Sequence, residues 1–161
     1  MSRLFPNLSA RRKFLRTLAI GGAYAVACAA GLRPLLLFAA ERNKAAFEAK
    51  VLAETMKSIG ASGATESAQI QLKAPEIAEN GAIVPVEITS KLPNTQTIYV
   101  IADKNPQPLV AIFDIADGLE PFISTRIKMG ESSKVRALVK AGDKFYLATH
   151  DVKVTIGGCG G

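Results

Sequence analysis

The residue with the clearest chemical potential is Cys159, which stands in the run "GGCGG" formed with Gly157, Gly158, Gly160 and Gly161. A catalytic thiolate usually has a cation, a helix N-terminus or a partnered histidine beside it to lower its pKa. Cys159 has only glycines as neighbours, so the local sequence offers the thiol no activation. This pattern favours a cysteine that carries a group on which other proteins do the chemistry.

No second group in the sequence completes a reactive site with this thiol. The single histidine, His150, precedes the last predicted strand, which separates it from Cys159. We interpret His150 as a surface or turn residue, because polar residues of this type mark strand ends. A lone cysteine and a lone histidine make neither a Cys/His/Asn site nor a metal cluster. We therefore expect no catalytic residue, no metal and no cofactor.

The positive charge is confined to the beginning of the chain. The net charge is +6, but residues 1–40 hold six Lys and Arg and no acid, and the remainder has fourteen Lys and Arg against fourteen Asp and Glu. A neutral remainder lacks the basic surface that nucleic-acid binding requires. The charge therefore predicts no nucleic-acid partner.

The basic beginning has the pattern of an export signal. Arg11 and Arg12 precede an apolar, Ala- and Gly-rich stretch, which predicts a twin-arginine signal over residues 1–40, cleaved near Ala39 or Ala40, and a periplasmic protein. An uncleaved membrane anchor is an alternative, although Arg33 and Pro34 interrupt the apolar run. Lipidation at Cys28 is a second alternative.

Export would change the meaning of the cysteines. The sequence has two, and removal of the signal with Cys28 would leave Cys159 as the sole thiol of the mature chain. In an oxidising compartment structural cysteines normally come in pairs. An unpaired thiol there indicates a functional group more than a structural one.

The rest of the chain is predicted to form a folded domain that supports this cysteine. Residues 41–60 have apolar residues spaced by threes and fours and predict one amphipathic helix of about five turns, stopped at Gly60. Over residues 66–156 the period changes to two. Seven or eight short strands are predicted, at 70–72, 83–88, 97–102, 110–115, 122–129, 135–139, 145–148 and 152–156. We expect a mainly β fold, an immunoglobulin-like antiparallel β-sandwich, with Pro85 at an edge or a bulge.

Alternation ends at Ile156, and the five residues 157–161 form a predicted flexible arm. Three extended residues reach about 10 Å, so Cys159 would stand clear of the sandwich. Glycine has no side chain, which gives the arm freedom and a slim profile. The alternative is a frayed terminus with an incidental cysteine.

The ending "VKVTIGGCGG" at 152–161 resembles the carboxy-terminal signature of the SoxY family, the sulfur-carrying subunits of bacterial sulfur oxidation. The stretches "APEIAENGAIVPVEI" at 74–88, "KNPQPL" at 104–109 and "STRIKMGESSKVRA" at 124–137 add to the resemblance, as do the leader and the helix before the sandwich.

The resemblance implies a periplasmic carrier that forms a heterodimer with a second sandwich subunit, SoxZ. Cys159 would be the covalent attachment point for thiosulfate-derived sulfur. SoxAX, a haem-containing partner, would load it; SoxB, a dimanganese hydrolase, would release sulfate; SoxCD would oxidise the remainder in many organisms. The four glycines would form the arm that presents the cargo, and the chain would not be an enzyme.

Two other functions remain open at this stage. Cys159 could join two copies of an exported sandwich through an intermolecular disulfide. The protein could also be a thiol oxidoreductase, although such enzymes usually need a resolving cysteine or an activated thiolate.

Overall fold

The structure is a computed structural model that describes residues 43–156. The predicted export signal, with Arg11 and Arg12, lies outside these residues. So do Cys28 and the predicted arm at 157–161.

The helical segment consists of two short helices, α1 (Lys44–Glu48) and α2 (Leu52–Ile59). The prediction of one continuous helix is wrong, because the backbone is extended at Ala49 (φ −59°, ψ 134°) and at Val51 (φ −130°, ψ 147°). The break lets both helices place apolar side chains on the sheet below them. Gly60 adopts a left-handed conformation (φ 82°) and ends α2, which confirms the predicted stop.

Asn43 joins the two helices. Its Oδ1 accepts a hydrogen bond from the N–H of Ala46 (3.1 Å), which caps the start of α1. Its Nδ2 donates to the carbonyl oxygen of Ser58 in the last turn of α2 (3.1 Å). One side chain therefore satisfies backbone groups at the start of one helix and near the end of the other.

Nine strands follow the helices. They are β1 (Thr65–Glu66), β2 (Ile70–Lys73), β3 (Ile77–Asn80), β4 (Val84–Ser90), β5 (Thr95–Ala102), β6 (Leu109–Asp114), β7 (Phe122–Ile127), β8 (Ser133–Ala141) and β9 (Lys144–Ile156). The last two predicted strands are one continuous strand, β9, and the short strands β1 and β3 were not predicted.

The strands form two sheets, which confirms the predicted sandwich. One sheet has the order β1-β9-β8-β5-β6, and β3 joins the same strand β9; the other has the order β2-β4-β7. Pairing is antiparallel except where β1 and β3 run parallel to β9. β1 and β3 therefore extend an otherwise antiparallel sheet along the strand that leads to Cys159.

Alternation along the strands places one set of side chains between the sheets. Val84, Val86 and Ile88 of β4 are almost completely buried there, together with Ile98 and Val100 of β5. The opposite face of the larger sheet also has apolar residues, and the two helices cover it. That second core comprises Ala46, Ala61, Ile101, Leu109, Leu138 and Leu147, with Phe47, Leu52, Met56 and Ile59 packed against it.

Pro85 lies in β4, the middle strand of the smaller sheet, but at a position where that strand has a neighbour on one side only, which agrees with the predicted edge. The reason lies in the register. β2 pairs with β4 only from Glu87 to Ser90, so the side of Pro85 that faces β2 lies beyond the end of that strand. Its missing N–H therefore removes no ladder hydrogen bond.

The described residues contain no helix that is long and apolar enough to cross a membrane.

A partly buried ion pair ties β8 to the turn after β5. The guanidinium of Arg136 donates to both carboxylate oxygens of Asp103, with Nε–Oδ1 at 2.8 Å and Nη2–Oδ2 at 2.9 Å. These hydrogen bonds raise the pKa of Arg136 above its ordinary value. The pair therefore stabilises the turn that begins the 104–109 stretch.

We expect Asp103→Ala to lower the free energy of unfolding by about 1–3 kcal/mol, because two charge-assisted hydrogen bonds are lost and the guanidinium stays partly buried. The matched control is Lys104→Ala, which removes an exposed pair with Glu131 (3.8 Å) and should cost less than about 1 kcal/mol. Urea denaturation of the two variants measures both values. Equal losses of unfolding free energy in the two variants would show that the partly buried Arg136–Asp103 pair stabilises the fold no more than the exposed Lys104–Glu131 pair.

Candidate functional site

The last strand continues past its antiparallel neighbour. β8 begins at Ser133, opposite Val152, so residues 153–156 of β9 have no β8 residue beside them. We call residues 153–156 the arm base, because the predicted arm follows them directly. Its position depends on what holds its two edges.

β3 holds one edge of the arm base. It runs parallel to β9, with Ile77 opposite Lys153 and Ala78 opposite Val154. The N–H of Lys153 donates to the carbonyl oxygen of Glu76 (2.9 Å). The hydroxyl of Thr155 adds a hydrogen bond to the carbonyl oxygen of Glu79 (2.8 Å). Strand pairing therefore continues up to the last described residue.

A single serine side chain holds the other edge. The hydroxyl oxygen of Ser132 accepts a hydrogen bond from the N–H of Val154 (2.8 Å), and the same hydroxyl lies 3.3 Å from the carbonyl oxygen of Val154, to which it donates. Ser132 thus replaces the strand partner that β8 no longer supplies. The arm base is held on both sides.

The loop that carries Ser132 is itself fixed. Nδ2 of Asn105 donates to the carbonyl oxygen of Lys128 (2.7 Å), and Oδ1 of Asn105 accepts from the N–H of Gly130 (3.0 Å). These two hydrogen bonds connect the turn after β5 to the segment between β7 and β8. The Ser132 loop is therefore anchored independently of the arm base.

The three internal stretches that resemble the SoxY family meet around the arm base. The 74–88 stretch supplies β3, the 104–109 stretch supplies Asn105, and the 124–137 stretch supplies Ser132. Sequence reasoning had marked these stretches without giving Asn105, Ser132 or β3 a role. Only the tertiary contacts show that these three stretches lie close together.

The surface beside the arm base is mixed in character. Ile77 is 60% exposed, which is unusual for a large apolar side chain in a strand. Exposed charges of both signs lie beside it, Lys153 on β9, Glu79 on β3 and Glu76 just before β3. The surface therefore combines an apolar contact point with polar neighbours, as in the rim and core of a protein interface.

His150 does not lie in a turn, so its interpretation as a surface or turn residue is wrong. β9 is continuous through this position, and His150 lies opposite Val135 of β8 and is partly buried. Six residues separate it from Ile156 along the strand, a distance of about 20 Å. His150 is therefore far from the end of β9, although it shares a pocket with Lys153 at the start of the arm base.

His150 borders a pocket of about 440 Å³ at the open edge of β9, which Ile77, Asp151 and Lys153 also line. In the described part of the chain, Nε2 of His150 and Oγ1 of Thr149 are buried side-chain atoms without a hydrogen-bond partner. Both residues line the pocket.

Residues 43–156 contain no group of three or more His, Cys, Asp or Glu side chains that could hold a metal ion. Cys159 and the four glycines of the arm lie outside these residues, so their roles stay predictions. The described site is the scaffold from which Cys159 departs. Only Gly157 and Gly158 separate the end of β9 from Cys159, and three residue steps of extended chain span at most about 10 Å.

We expect Ser132→Ala to loosen the arm base, because the N–H of Val154 loses its only side-chain partner. One such hydrogen bond contributes about 1 kcal/mol, which corresponds to roughly fivefold faster hydrogen exchange at Val154. The matched control is Ser133→Ala, whose hydroxyl donates to Lys134 at the surface (3.3 Å). An unchanged exchange rate at Val154 in Ser132→Ala would show that Ser132 does not hold the arm base.

The sequence was compared with protein families. The family model described as "Sulfur oxidation protein SoxY" matches residues 55–159, most of the chain. The chain belongs to the SoxY family. The match extends from α2 through both sheets and the arm base to Cys159, so the resemblance stated from the sequence is confirmed.

One solved structure agrees with this membership. The sulfur carrier protein SoxY from Chlorobium limicola f thiosulfatophilum is 39% identical to this SoxY family member, with a TM-score of 0.60, and the alignment covers 68% of this chain and 96% of that one. Two superoxide reductase (neelaredoxin) structures from Ignicoccus hospitalis also match. Their identities are 16% and 17%, each TM-score is 0.48, and the alignments cover 53% and 61% of this chain and 80% and 86% of theirs. The curated proteins contain no match.

Proposed function

We propose that this protein is a periplasmic carrier that holds thiosulfate-derived sulfur covalently on Cys159 and presents it to the enzymes of sulfur oxidation. The observation that carries the proposal is the SoxY family match, which reaches Cys159. The structure adds a platform whose last strand ends three residues before that thiol. The twin-arginine signal with Arg11 and Arg12 supports export.

Attachment is an oxidation. The thiol of Cys159 and the outer sulfur of thiosulfate form a sulfur–sulfur bond, with release of one proton and two electrons. The product is a cysteine S-thiosulfonate, and the electrons pass to the haem of a SoxAX-type partner. Nothing on this chain needs to accept them, which fits a carrier without a cofactor of its own.

The later steps occur on the same sulfur. A SoxB-type hydrolase adds water across the bond between the sulfane sulfur and the sulfonate group. Sulfate and protons leave, and a persulfide stays on Cys159. A SoxCD-type enzyme can then oxidise the persulfide sulfur. Each enzyme must admit the tip of the arm, which explains why glycines flank the cysteine.

The geometry restricts how these partners approach. Because the thiol lies within about 10 Å of the arm base, an enzyme that takes up the cargo must come close to the surface around residues 153–156. Ile77 lies on that surface and is 60% exposed. The fixed arm base gives each enzyme the same starting point for the flexible arm.

The direct test is loading of the purified protein. Incubation with thiosulfate and a SoxAX-type partner should add one thiosulfate, less one proton and two electrons, to the peptide that contains Cys159, and a reductant should remove it. Peptide mass spectrometry locates the addition. Loading at no residue, or at a residue other than Cys159, would refute the proposal.

The disulfide-linked dimer remains the second candidate, since an exposed single thiol can oxidise with a second copy. Non-reducing gels separate the two functions. A carrier should lose its dimer band during turnover with thiosulfate, because the cargo occupies the thiol. A structural dimer should keep that band throughout.

A further inference from the structure

The outer edge of β9 has a gap between its two parallel neighbours. β1 pairs with β9 at Tyr146 and Leu147, and β3 pairs with it from Lys153 onward. Within residues 43–156, no strand pairs with the outer side of residues 148–152. The gap from Leu147 to Lys153 is about 20 Å long, and it ends at the arm base.

Backbone groups of β9 face this gap. The carbonyl oxygen of Leu147 accepts from the N–H of Ser67 (3.0 Å) on this side. The N–H of Lys153 donates on the same side (2.9 Å). Because hydrogen bonds alternate along an antiparallel pair, the odd-numbered residues of β9 turn their peptide groups away from β8. The peptide groups of Thr149 and Asp151 therefore face the gap.

The pocket of about 440 Å³ lies in this gap, at the end nearest the arm base, since both Thr149 and Lys153 line it. Oγ1 of Thr149 and Nε2 of His150 are buried and have no hydrogen-bond partner in the described part of the chain. Buried polar atoms in folded proteins are nearly always paired. Two unpaired atoms in residues of one pocket call for a partner that residues 43–156 do not supply.

The lining of the pocket favours a cation as that partner. Glu76 and Asp151 contribute exposed carboxylates, and Lys153 is the single Lys or Arg among the described lining residues. Arg136 on the neighbouring strand β8 is already paired with Asp103. The lining therefore offers mainly acceptors, namely carboxylates, backbone carbonyls and a hydroxyl. A guanidinium complements such a lining, because it has five N–H donors and a permanent positive charge.

The pocket lies where a protein that holds Cys159 makes contact. Lys153 is three residues before the end of β9 at Ile156, a distance of about 10 Å. The thiol reaches at most about 10 Å beyond that end. A protein interface of ordinary size covers about 800 Å² on each partner, a patch of roughly 16 Å radius. An interface centred on the end of β9 therefore includes the pocket.

An exposed apolar side chain stands at the rim of the same pocket. Ile77 lines it and is 60% exposed, and Glu76, Glu79 and Lys153 beside it are exposed and charged. Stable subunit interfaces are large and mostly apolar. A single isoleucine beside an acidic pocket suits a transient contact, in which one buried arginine contributes much of the binding energy. The surface therefore fits enzymes that bind and leave in turn.

We propose that this pocket and Ile77 form a docking site shared by the enzymes that take the cargo, and that each enzyme inserts an arginine side chain into the pocket. The proposal rests on the proposed function, because the reach of Cys159 identifies the occupant. It also implies that the enzymes exclude one another, since the pocket accepts one arginine at a time.

Removal of the negative charge of the pocket tests docking in the intact system. With the protein loaded on Cys159 as the substrate of a SoxB-type hydrolase, the double variant Glu76→Gln, Asp151→Asn should raise KM about tenfold at low salt with kcat unchanged. The difference should shrink as salt rises. The matched control Glu54→Gln, Asp143→Asn neutralises two exposed acids elsewhere and should keep the KM of the wild type. Equal KM values for both double variants would overturn the proposal.

A second variant separates docking from folding. Thr149→Val removes a buried hydroxyl that has no partner in the described residues, so the melting temperature should stay the same or rise. The same substitution should raise KM about threefold to tenfold, since the guanidinium loses an acceptor. A lower melting temperature with an unchanged KM would show that the hydroxyl has only a structural role, which contradicts the docking site.

Arginine methyl ester probes the pocket of the full chain without any enzyme. Its titration should shift the NMR amide signals of Thr149 and Asp151. Citrulline methyl ester, which has a similar length and no charge, should not shift them. Shifts with both esters, or with neither, would overturn the assignment of the pocket to a cation.

The remaining outcomes separate other occupants and the carrier function. Shifts of Thr149 that depend on the concentration of the chain alone, or that appear with the SoxZ subunit, would assign the surface to a second copy or to the stable partner and overturn the proposal. Normal loading of Cys159 with a normal KM in every pocket variant would overturn the docking site alone. Arginine ester binding in a protein whose Cys159 accepts no sulfur would keep the pocket and refute the carrier, and with it the enzymes as occupants.

Discussion

We expect Cys159→Ser to fold normally and to accept no sulfur cargo. A serine hydroxyl cannot form the sulfur–sulfur bond through which a thiosulfate-derived group is attached, so the effect should be complete loss. Serine differs from cysteine only by an oxygen in place of the sulfur, so we expect stability to be unchanged. Incubation with thiosulfate and a SoxAX-type partner, followed by intact mass measurement, shows whether mass is added.

Cys28→Ser is the matched control for this loss, because Cys28 is the other cysteine of the sequence and lies in the predicted export signal. Because removal of residues 1–40 takes position 28 with it, the mature chain of this variant should be identical to the wild type and load equally, and a difference in mass would show that Cys28 is retained. Thermal unfolding of both variants verifies folding. Any sulfur retained by Cys159→Ser would show that another group accepts the cargo.

The second large effect is expected for Gly158→Val, which should load poorly and pass its cargo on slowly. Valine adds a branched side chain next to the thiol and restricts the backbone that glycine leaves free. A bulkier arm enters a narrow active site less readily, and small misplacements of reacting atoms have large effects on rate. We expect kcat/KM of the partner enzymes to fall on the order of tenfold to a hundredfold.

The chain offers a control glycine for this substitution. An added Cβ at Gly63 would meet no atom within 4 Å, and its φ is not in the left-handed region. Gly63→Val should therefore leave both folding and turnover unchanged. If Gly158→Val and the control give the same turnover, the arm does not need its slim profile.

Much of the sandwich was predictable because burial leaves a period of two in the sequence. The alternating run in β4 reflects side chains that fill the space between the sheets, whereas β5 is an apolar run buried on both faces. The strands β1 and β3 have two and four residues and show little alternation. Their position depends on parallel pairing with β9, which local sequence does not encode.

The errors have a similar origin. The break between α1 and α2 arises because both helices pack on the sheet, a tertiary requirement that a helical periodicity does not contain. His150 was assigned to a turn because the sequence between residues 148 and 152 is polar. Strand β9 continues there because β8 supplies hydrogen-bond partners along its length, from Lys144 to Val152.

The sequence alone indicates that Cys159 has no activating group beside it in the chain. It does not indicate which residues hold the strand that precedes it. Ser132 is 22 residues from Val154 along the chain, and Glu79 is 76 residues from Thr155. Contacts at such separations depend on the completed fold. The sequence therefore predicted a carrier cysteine, and the structure identified the residues that hold the strand before it.

The most direct test of the central claim is the intact mass of the exported protein purified from cells grown on thiosulfate, measured before and after reduction. We expect a chain without residues 1–40, or cut close to that point, whose mass includes added sulfur that reduction removes and that peptide analysis places on Cys159. A chain from such cells that shows no added sulfur at Cys159 would contradict it.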